Sequence, residues 1–95
     1  MNAFNPTQAF SLTRDPIFAQ INDEIVVMSP KNEENYAINP VGTKLWNLLQ
    51  TRPMSLNEMV QYLTECYEVT IAVAMQDVAD FLKTMMEHDL VSPVN

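Results

Sequence analysis

The chain has 95 residues, of which 47% are hydrophobic and 18% are charged. This length predicts one domain with a single modest core, and the formal net charge of −7 opposes binding to the phosphate backbone of nucleic acids. No apolar run approaches the roughly 18 residues that a membrane span requires, and the N-terminus lacks the pattern of a secretory signal. The single cysteine, Cys66, cannot form an internal disulfide. We therefore expect a cytoplasmic domain that binds neither nucleic acid nor membrane.

The first 15 residues are predicted to form a flexible N-terminal arm. They contain polar residues and a proline, Pro6, and they show no regular apolar period. The folded domain is expected to span residues 16–92, where the segment from Leu90 to Pro93 ends it.

Three short strands are predicted after the arm. Residues 17–21 alternate loosely between apolar and polar, Asn22-Asp23 is good turn chemistry, and residues 24–28 form a continuous apolar run. A polar turn with a proline then leads into a third strand at residues 35–38. The pattern predicts a three-stranded antiparallel meander whose last strand lies at an edge.

The predicted edge strand is unprotected. An edge presents unpaired N–H and C=O groups, and soluble proteins usually guard it with lysine, proline or a covering element. The strand Asn35-Tyr36-Ala37-Ile38 contains neither lysine nor proline. This absence raises the question of what pairs with the strand.

A first helix is predicted to follow directly. Asn39 is a good N-cap, Pro40 suits the first helical position, and the helix is expected to reach about residue 50. Gly42, the only glycine of the chain, predicts a close approach of another segment. Trp46 is predicted to anchor the core, and the inward stripe is formed by Val41, Leu45, Leu48 and Leu49.

Two further helices complete the prediction. Ser55-Leu56-Asn57-Glu58 is a capping-box pattern that begins the second helix, and Thr70 is a cap for a third helix that ends near residue 87 or 88. At about 100° per residue, the apolar residues of the third helix cover about 160°. An amphipathic helix needs little more than about 100° to cover a core. The excess arc therefore either packs on a second element or binds a partner.

Together these elements resemble the PqqD-like family of peptide chaperones, also called RiPP recognition elements. The likeness rests on three strands, a helix with Asn-Pro-x-Gly and Leu-Trp-x-Leu-Leu, a capping-box helix and a long final helix. It extends over about residues 17–91 and includes Tyr36, Ile38, Asn39, Gly42, Leu45, Trp46, Leu48, Leu49, Ser55–Val60, Leu63, Tyr67, Val69, Asp77, Val78, Phe81, Leu82, Leu90 and Val91. The Gly-x-x-Leu-Trp pattern looks more like the leader-binding proteins of lasso peptide clusters than like PqqD of the quinone cofactor pathway.

The resemblance implies an α+β fold of winged helix-turn-helix type, with a three-stranded antiparallel sheet before three helices. It also implies that the domain binds the leader segment of a ribosomally made precursor peptide and presents it to a modifying enzyme or leader peptidase. In such proteins the leader adds as an extra strand beside the third strand, in the groove between that strand and the third helix. No cofactor or metal is implied.

We hypothesise a contact set on this basis. Backbone groups of the edge strand would bond to the peptide, and side chains of the third helix would take its apolar residues. The set consists of Asn35, Tyr36, Ala37, Ile38, Val78, Phe81, Leu82 and Met85. The open edge also allows two copies to pair, so the expected state is a monomer or a weak homodimer.

The sequence can also be interpreted in other ways. The wide apolar face of the third helix is also explained if it packs between the sheet and the first helix. An enzyme is disfavoured because the chain has one histidine and one cysteine, with no metal-ligand cluster and no phosphate-binding loop. A winged-helix DNA-binding regulator is the alternative function. The charge of the third helix argues against DNA binding, because Lys83 is its only lysine or arginine.

Overall fold

The computed structural model describes residues 5, 7–13 and 16–94, which contain six strands and three helices. In chain order these elements are β1 (Ala9–Leu12), β2 (Phe18–Ile21), β3 (Glu24–Met28), β4 (Asn35–Ile38), α1 (Pro40–Thr51), β5 (Met54–Ser55), α2 (Leu56–Cys66), α3 (Ile71–Glu87) and β6 (Val91–Val94). The α+β class is confirmed, and the three predicted strands, β2, β3 and β4, precede the three helices as expected. None of the described helices is long and apolar enough to cross a membrane.

The predicted meander is the antiparallel sheet β2-β3-β4, with β3 in the middle. The β2–β3 turn lies at Asn22-Asp23, and Asn22 takes the left-handed backbone conformation (φ 57°) that asparagine tolerates. Ile25 and Val27 of β3 are fully buried, whereas all four residues of β2 are exposed. The sheet therefore covers the core mainly through its middle strand.

A second antiparallel sheet, in the order β5-β1-β6, was not predicted. Its central strand β1 lies in the segment expected to be a flexible arm, and Phe10 of β1 is buried with 2% of its surface exposed. The prediction was wrong for Ala9–Leu12 because the partners of this strand lie far along the chain, at Met54–Ser55 and Val91–Val94. Residues 1–4, 6, 14 and 15 of the expected arm lie outside the described residues.

The helices begin at the predicted caps. The Asn39 side chain accepts a hydrogen bond from the Gly42 N–H (2.7 Å) at the start of α1. At the start of α2, Ser55 and Glu58 form a complete capping box, and the Thr70 hydroxyl accepts from the Val73 N–H at the start of α3. Each cap satisfies an N–H that the helix itself leaves without a partner.

The end of α3 is fixed by a Schellman motif. Asp89 takes a left-handed conformation (φ 57°), the Leu90 N–H donates to the Met85 C=O (2.8 Å), and the Asp89 N–H donates to the Met86 C=O (3.1 Å). Leu90 is then fully buried, and the chain continues directly into β6. The helix end thereby returns the chain to the β5-β1-β6 sheet.

One continuous core joins both sheets and all three helices. Trp46 is fully buried, which confirms its prediction as a core anchor, and the ring of Phe18 packs edge-on against it at 5.4 Å between centroids. A free cysteine commonly behaves as a small buried hydrophobe, but Cys66 is exposed at the end of α2. The buried apolar residues are Phe10, Ile25, Val27, Ile38, Leu45, Trp46, Leu49, Met54, Leu56, Met59, Val60, Leu63, Ala74, Val78, Phe81, Leu82, Met85, Leu90 and Val91.

Candidate functional site

The strand β4 lies at the edge of its sheet, and no strand of the described chain pairs with its outer side. In an antiparallel ladder, the backbone groups of successive residues point alternately to the two sides of the strand. The Ser29 N–H donates to the Glu34 C=O (2.9 Å), in register with the β3–β4 pairs. Tyr36 and Ile38 therefore direct their backbone groups to β3. Asn35 and Ala37 direct theirs to the open edge.

A groove of about 250 Å³ runs between this open edge and α3. One wall comes from β4 and the start of α1, and the other comes from the middle and C-terminal turns of α3. The lining residues are Tyr36, Ala37, Ile38, Asn39, Val41, Gly42, Asp77, Asp80, Phe81, Thr84 and Met85. Unpaired backbone groups and an apolar floor thus occur side by side.

The structure brings five of the eight hypothesised contact residues into the groove lining: Tyr36, Ala37, Ile38, Phe81 and Met85. Asn35 lies on the same strand but outside the lining. Val78 and Leu82 are fully buried and belong to the core instead. Because α2 packs against α3, the wide apolar arc of α3 is divided between the core and the groove.

Sequence reasoning missed three polar residues of the groove wall, namely Asp77, Asp80 and Thr84. As polar residues of an amphipathic helix, they are expected on its solvated side. The signal in the sequence was their spacing. Asp77 and Thr84 lie four and three residues from Phe81, and Asp80 lies three residues from Asp77, so all of them share one helical face. The groove wall is therefore partly acidic.

Gly42 lets α1, β4 and α3 meet at the floor of the groove. A Cβ atom at this position would lie 2.5 Å from Cγ2 of Ile38 and 3.2 Å from Cδ1 of Phe81. The close approach that the sequence predicts at Gly42 is thereby confirmed. Any side chain at this position would displace Ile38 or Phe81. The two groove walls would then move apart, or one of these side chains would move into the groove.

Tyr36 of the groove lining packs against His88, which lies outside the lining. Their rings pack at 5.1 Å between centroids, and Nδ1 of His88 lies 3.3 Å from Oγ of the buried Ser29. His88 is the C-cap residue of α3, and its backbone N–H donates to the Thr84 C=O (3.2 Å). The histidine thus holds the tyrosine of the edge strand against the helix end.

The groove lining offers apolar side chains, neutral polar groups and the carboxylates of Asp77 and Asp80. It has no histidine, cysteine, lysine or arginine, and the described part of the chain has no group of three metal-ligating residues. Two groups outside the groove, Glu58 and Tyr62, have shifted pKa values. A hydrogen bond from the Ser55 N–H, followed by Arg52, lowers the pKa of Glu58, while a hydrogen bond with Cys66 and burial raise the pKa of Tyr62.

Comparison with protein families gives one match. The model described as coenzyme PQQ synthesis protein D (PqqD) matches residues 24–91, which is more than half of the chain. The matched segment begins with β3 and ends at the first residue of β6, so it includes β4, α3 and the groove between them. No curated protein gives a significant match.

Two solved structures share the fold. TbiB1 in complex with the TbiA(beta) leader peptide superimposes with a TM-score of 0.77 at 22% identity, covering 90% of this chain and 98% of that chain. Lasso peptide synthetase B1 complexed with the leader peptide gives a TM-score of 0.71 at 25% identity, covering 88% and 98%. At 22% identity the first likeness shows the fold alone.

Proposed function

Because the chain belongs to the PqqD family, we propose that it binds the leader segment of a ribosomally synthesised precursor peptide and delivers it to a modifying enzyme or leader peptidase. The observation that carries this proposal is the open edge of β4 beside the groove of α3. The two structural neighbours, both complexes with leader peptides, support the same class of ligand. The second neighbour is a lasso peptide synthetase B1, which favours a lasso-type pathway.

The proposed mode of binding is strand addition. The outward N–H and C=O groups of Asn35 and Ala37 would pair with an extended peptide, and these backbone bonds give affinity for peptides of many sequences. Alternate side chains of the peptide would then enter the groove, where Phe81, Met85 and Val41 form an apolar floor. Methionine adapts its shape to different apolar partners, so Met85 suits such a floor.

The domain acts as an adaptor in this proposal, with the chemistry performed by the enzyme that receives the peptide. The groove offers hydrogen bonds, apolar contact and carboxylates, but no pairing of a nucleophile with a base. Precursor peptides made by ribosomes arise in the cytoplasm, and the domain would meet them there.

Titration of the isotopically labelled domain with a synthetic leader segment tests the proposal. The segment is taken from the precursor peptide encoded beside the gene, and a scrambled version of the same composition serves as the control. We expect chemical shift changes concentrated in β4 and the groove-facing turns of α3. Equal shifts with the scrambled peptide, or shifts only with duplex DNA, would overturn leader binding, and the DNA result would favour a winged-helix regulator.

A further inference from the structure

The helical wall of the groove carries two carboxylates. Asp77 and Asp80 both line the groove, half-buried and exposed respectively. Residues three apart on a helix are surface neighbours, about 5–6 Å apart at their Cβ atoms. One cationic group can therefore contact both carboxylates.

Neither carboxylate is neutralised within the described residues. The Asp80 carboxylate accepts a hydrogen bond from the Gln76 side chain (2.9 Å), and Asp77 has neither a hydrogen bond nor an ion pair there. The nearest lysine in sequence, Lys83, is exposed on α3 but does not line the groove. The wall thus presents negative charge to whatever occupies the groove.

The floor below this wall is apolar, with Phe81 and Met85 on α3 and Val41 on α1. A purely apolar side chain of the peptide would pack well on the floor. It would also remove the two carboxylates from water without giving them a partner, which is unfavourable. Lysine and arginine have apolar stems and charged ends, and they commonly lay the stem on an apolar surface while the charge reaches a polar rim. Their two-part chemistry matches the two parts of the groove.

We propose that this groove selects leader segments with a lysine or arginine at the position facing Asp77 and Asp80. This inference rests on the proposed function and names the charge of the peptide that the groove prefers. The stem packs on Phe81 and the cationic end pairs with the two carboxylates. The opposite wall, formed by Tyr36, Ala37, Ile38 and Asn39, is uncharged and accepts the peptide backbone without electrostatic preference.

Selection from a display library of random peptides tests this inference without knowledge of the natural ligand. Three forms of the full chain are used: the wild type, the double variant Asp77→Asn/Asp80→Asn, and the control Glu65→Gln/Glu68→Gln. The control positions are exposed and do not line the groove. Each double variant removes two negative charges, which changes the formal net charge from −7 to −5. Only the place of the lost charge differs.

We expect wild type and control to enrich peptides with a basic residue at a fixed distance from an apolar residue. The Asp77→Asn/Asp80→Asn variant should lose this enrichment and bind the selected peptides about three- to tenfold more weakly, an effect that shrinks as salt is added. Replacement of both aspartates by lysine should enrich acidic residues at the same position.

The experiment distinguishes failure of the charge inference from failure of the proposed function. Peptides that shift β4 and α3 resonances but carry no basic preference, or whose preference is lost equally in the control, would overturn the charge inference and leave peptide binding intact. Selection of no groove-binding peptide by any of the forms would overturn the proposed function itself.

Discussion

The β2-β3-β4 sheet has two open edges, and they differ in what lies beside them. β4 runs along a groove whose other wall is α3, and its residue Ile38 is buried. β2 exposes all four of its residues, with Ile21 at 61% and Phe18 at 37%, and the ring of Phe18 contacts Trp46 of α1. Backbone groups available for strand addition are present at both edges. At the β4 edge, side chains of α3 face the space that an added strand would occupy.

The comparison of the two edges indicates that an open strand edge alone does not make a peptide-binding site. The backbone bonds of strand addition are the same for every sequence, so they supply affinity but little selectivity. Selectivity requires side chains that contact alternate residues of the added strand. In this molecule α3 lines the groove beside β4 and would provide those contacts.

The largest effect is expected from Trp46→Ala, which removes the support beneath β2. Trp46 is fully buried, and the variant should lose roughly 3–5 kcal/mol of unfolding free energy through the cavity it leaves. Trp46→Phe is the control, because the indole N–H has no hydrogen-bond partner among the described residues and its loss leaves no group unpaired. An unchanged melting temperature for the alanine variant would refute the core assignment.

The second prediction compares proline at the two edges. Ala37→Pro removes an outward N–H from β4 and should weaken leader binding about tenfold, with little loss of stability, since no ladder bond is broken. By the same alternation of backbone groups, Gln20→Pro removes an outward N–H from β2. Peptide titration should show wild-type affinity for Gln20→Pro. Equal weakening by both prolines would contradict a site at β4 alone.

Gly42→Ala tests whether the groove depends on the close contact at its floor. The added methyl group would meet Ile38 at 2.5 Å and Phe81 at 3.2 Å. Overpacking costs about 1–3 kcal/mol, and alanine in a helix recovers about 1 kcal/mol, so we expect a small net loss in denaturant unfolding. Leader affinity should fall as Phe81 is displaced. Lys44→Ala, an exposed change on the same helix, should leave affinity unaltered.

The smallest effect concerns the capping box of α2, which lies outside both edges. The pKa of Glu58 is below its ordinary value of 4.5, so its stabilising contribution is present above that pH and is lost as pH falls through the lowered pKa. The carboxylate is partly exposed, which limits the contribution to about 0.5 kcal/mol. The stability difference between wild type and Glu58→Gln should therefore shrink in acid, while peptide affinity at neutral pH stays equal. A difference constant with pH would contradict this role.

Local signals in the sequence predict much of this fold. The Asn39-Pro40 start of α1, the capping box at Ser55 and the Asn22-Asp23 turn all have chemistry that acts within four residues, and the structure confirms each of them. The edge position of β4 also follows from order along the chain. These features need no knowledge of distant partners.

The features that were missed depend on distant partners. β1 pairs with residues at the other end of the chain, and β6 contains Pro93, which is tolerated because β6 is an edge strand. Likewise, the apolar arc of α3 showed that two surfaces meet this helix but not which residues face which surface. The residues that face each surface depend on how α2 packs against α3. In this packing Val78 lies in the core and Asp77 lines the groove.

The position of β1 between β5 and β6 has a consequence for the order of folding. The β2-β3-β4 meander closes through neighbouring segments, so it can form as soon as those residues leave the ribosome. β1 is made first, yet its ladder is complete only when Val91–Val94 have been synthesised. The open β4 edge thus forms from short-range contacts, while the β1–β6 ladder is the last to close.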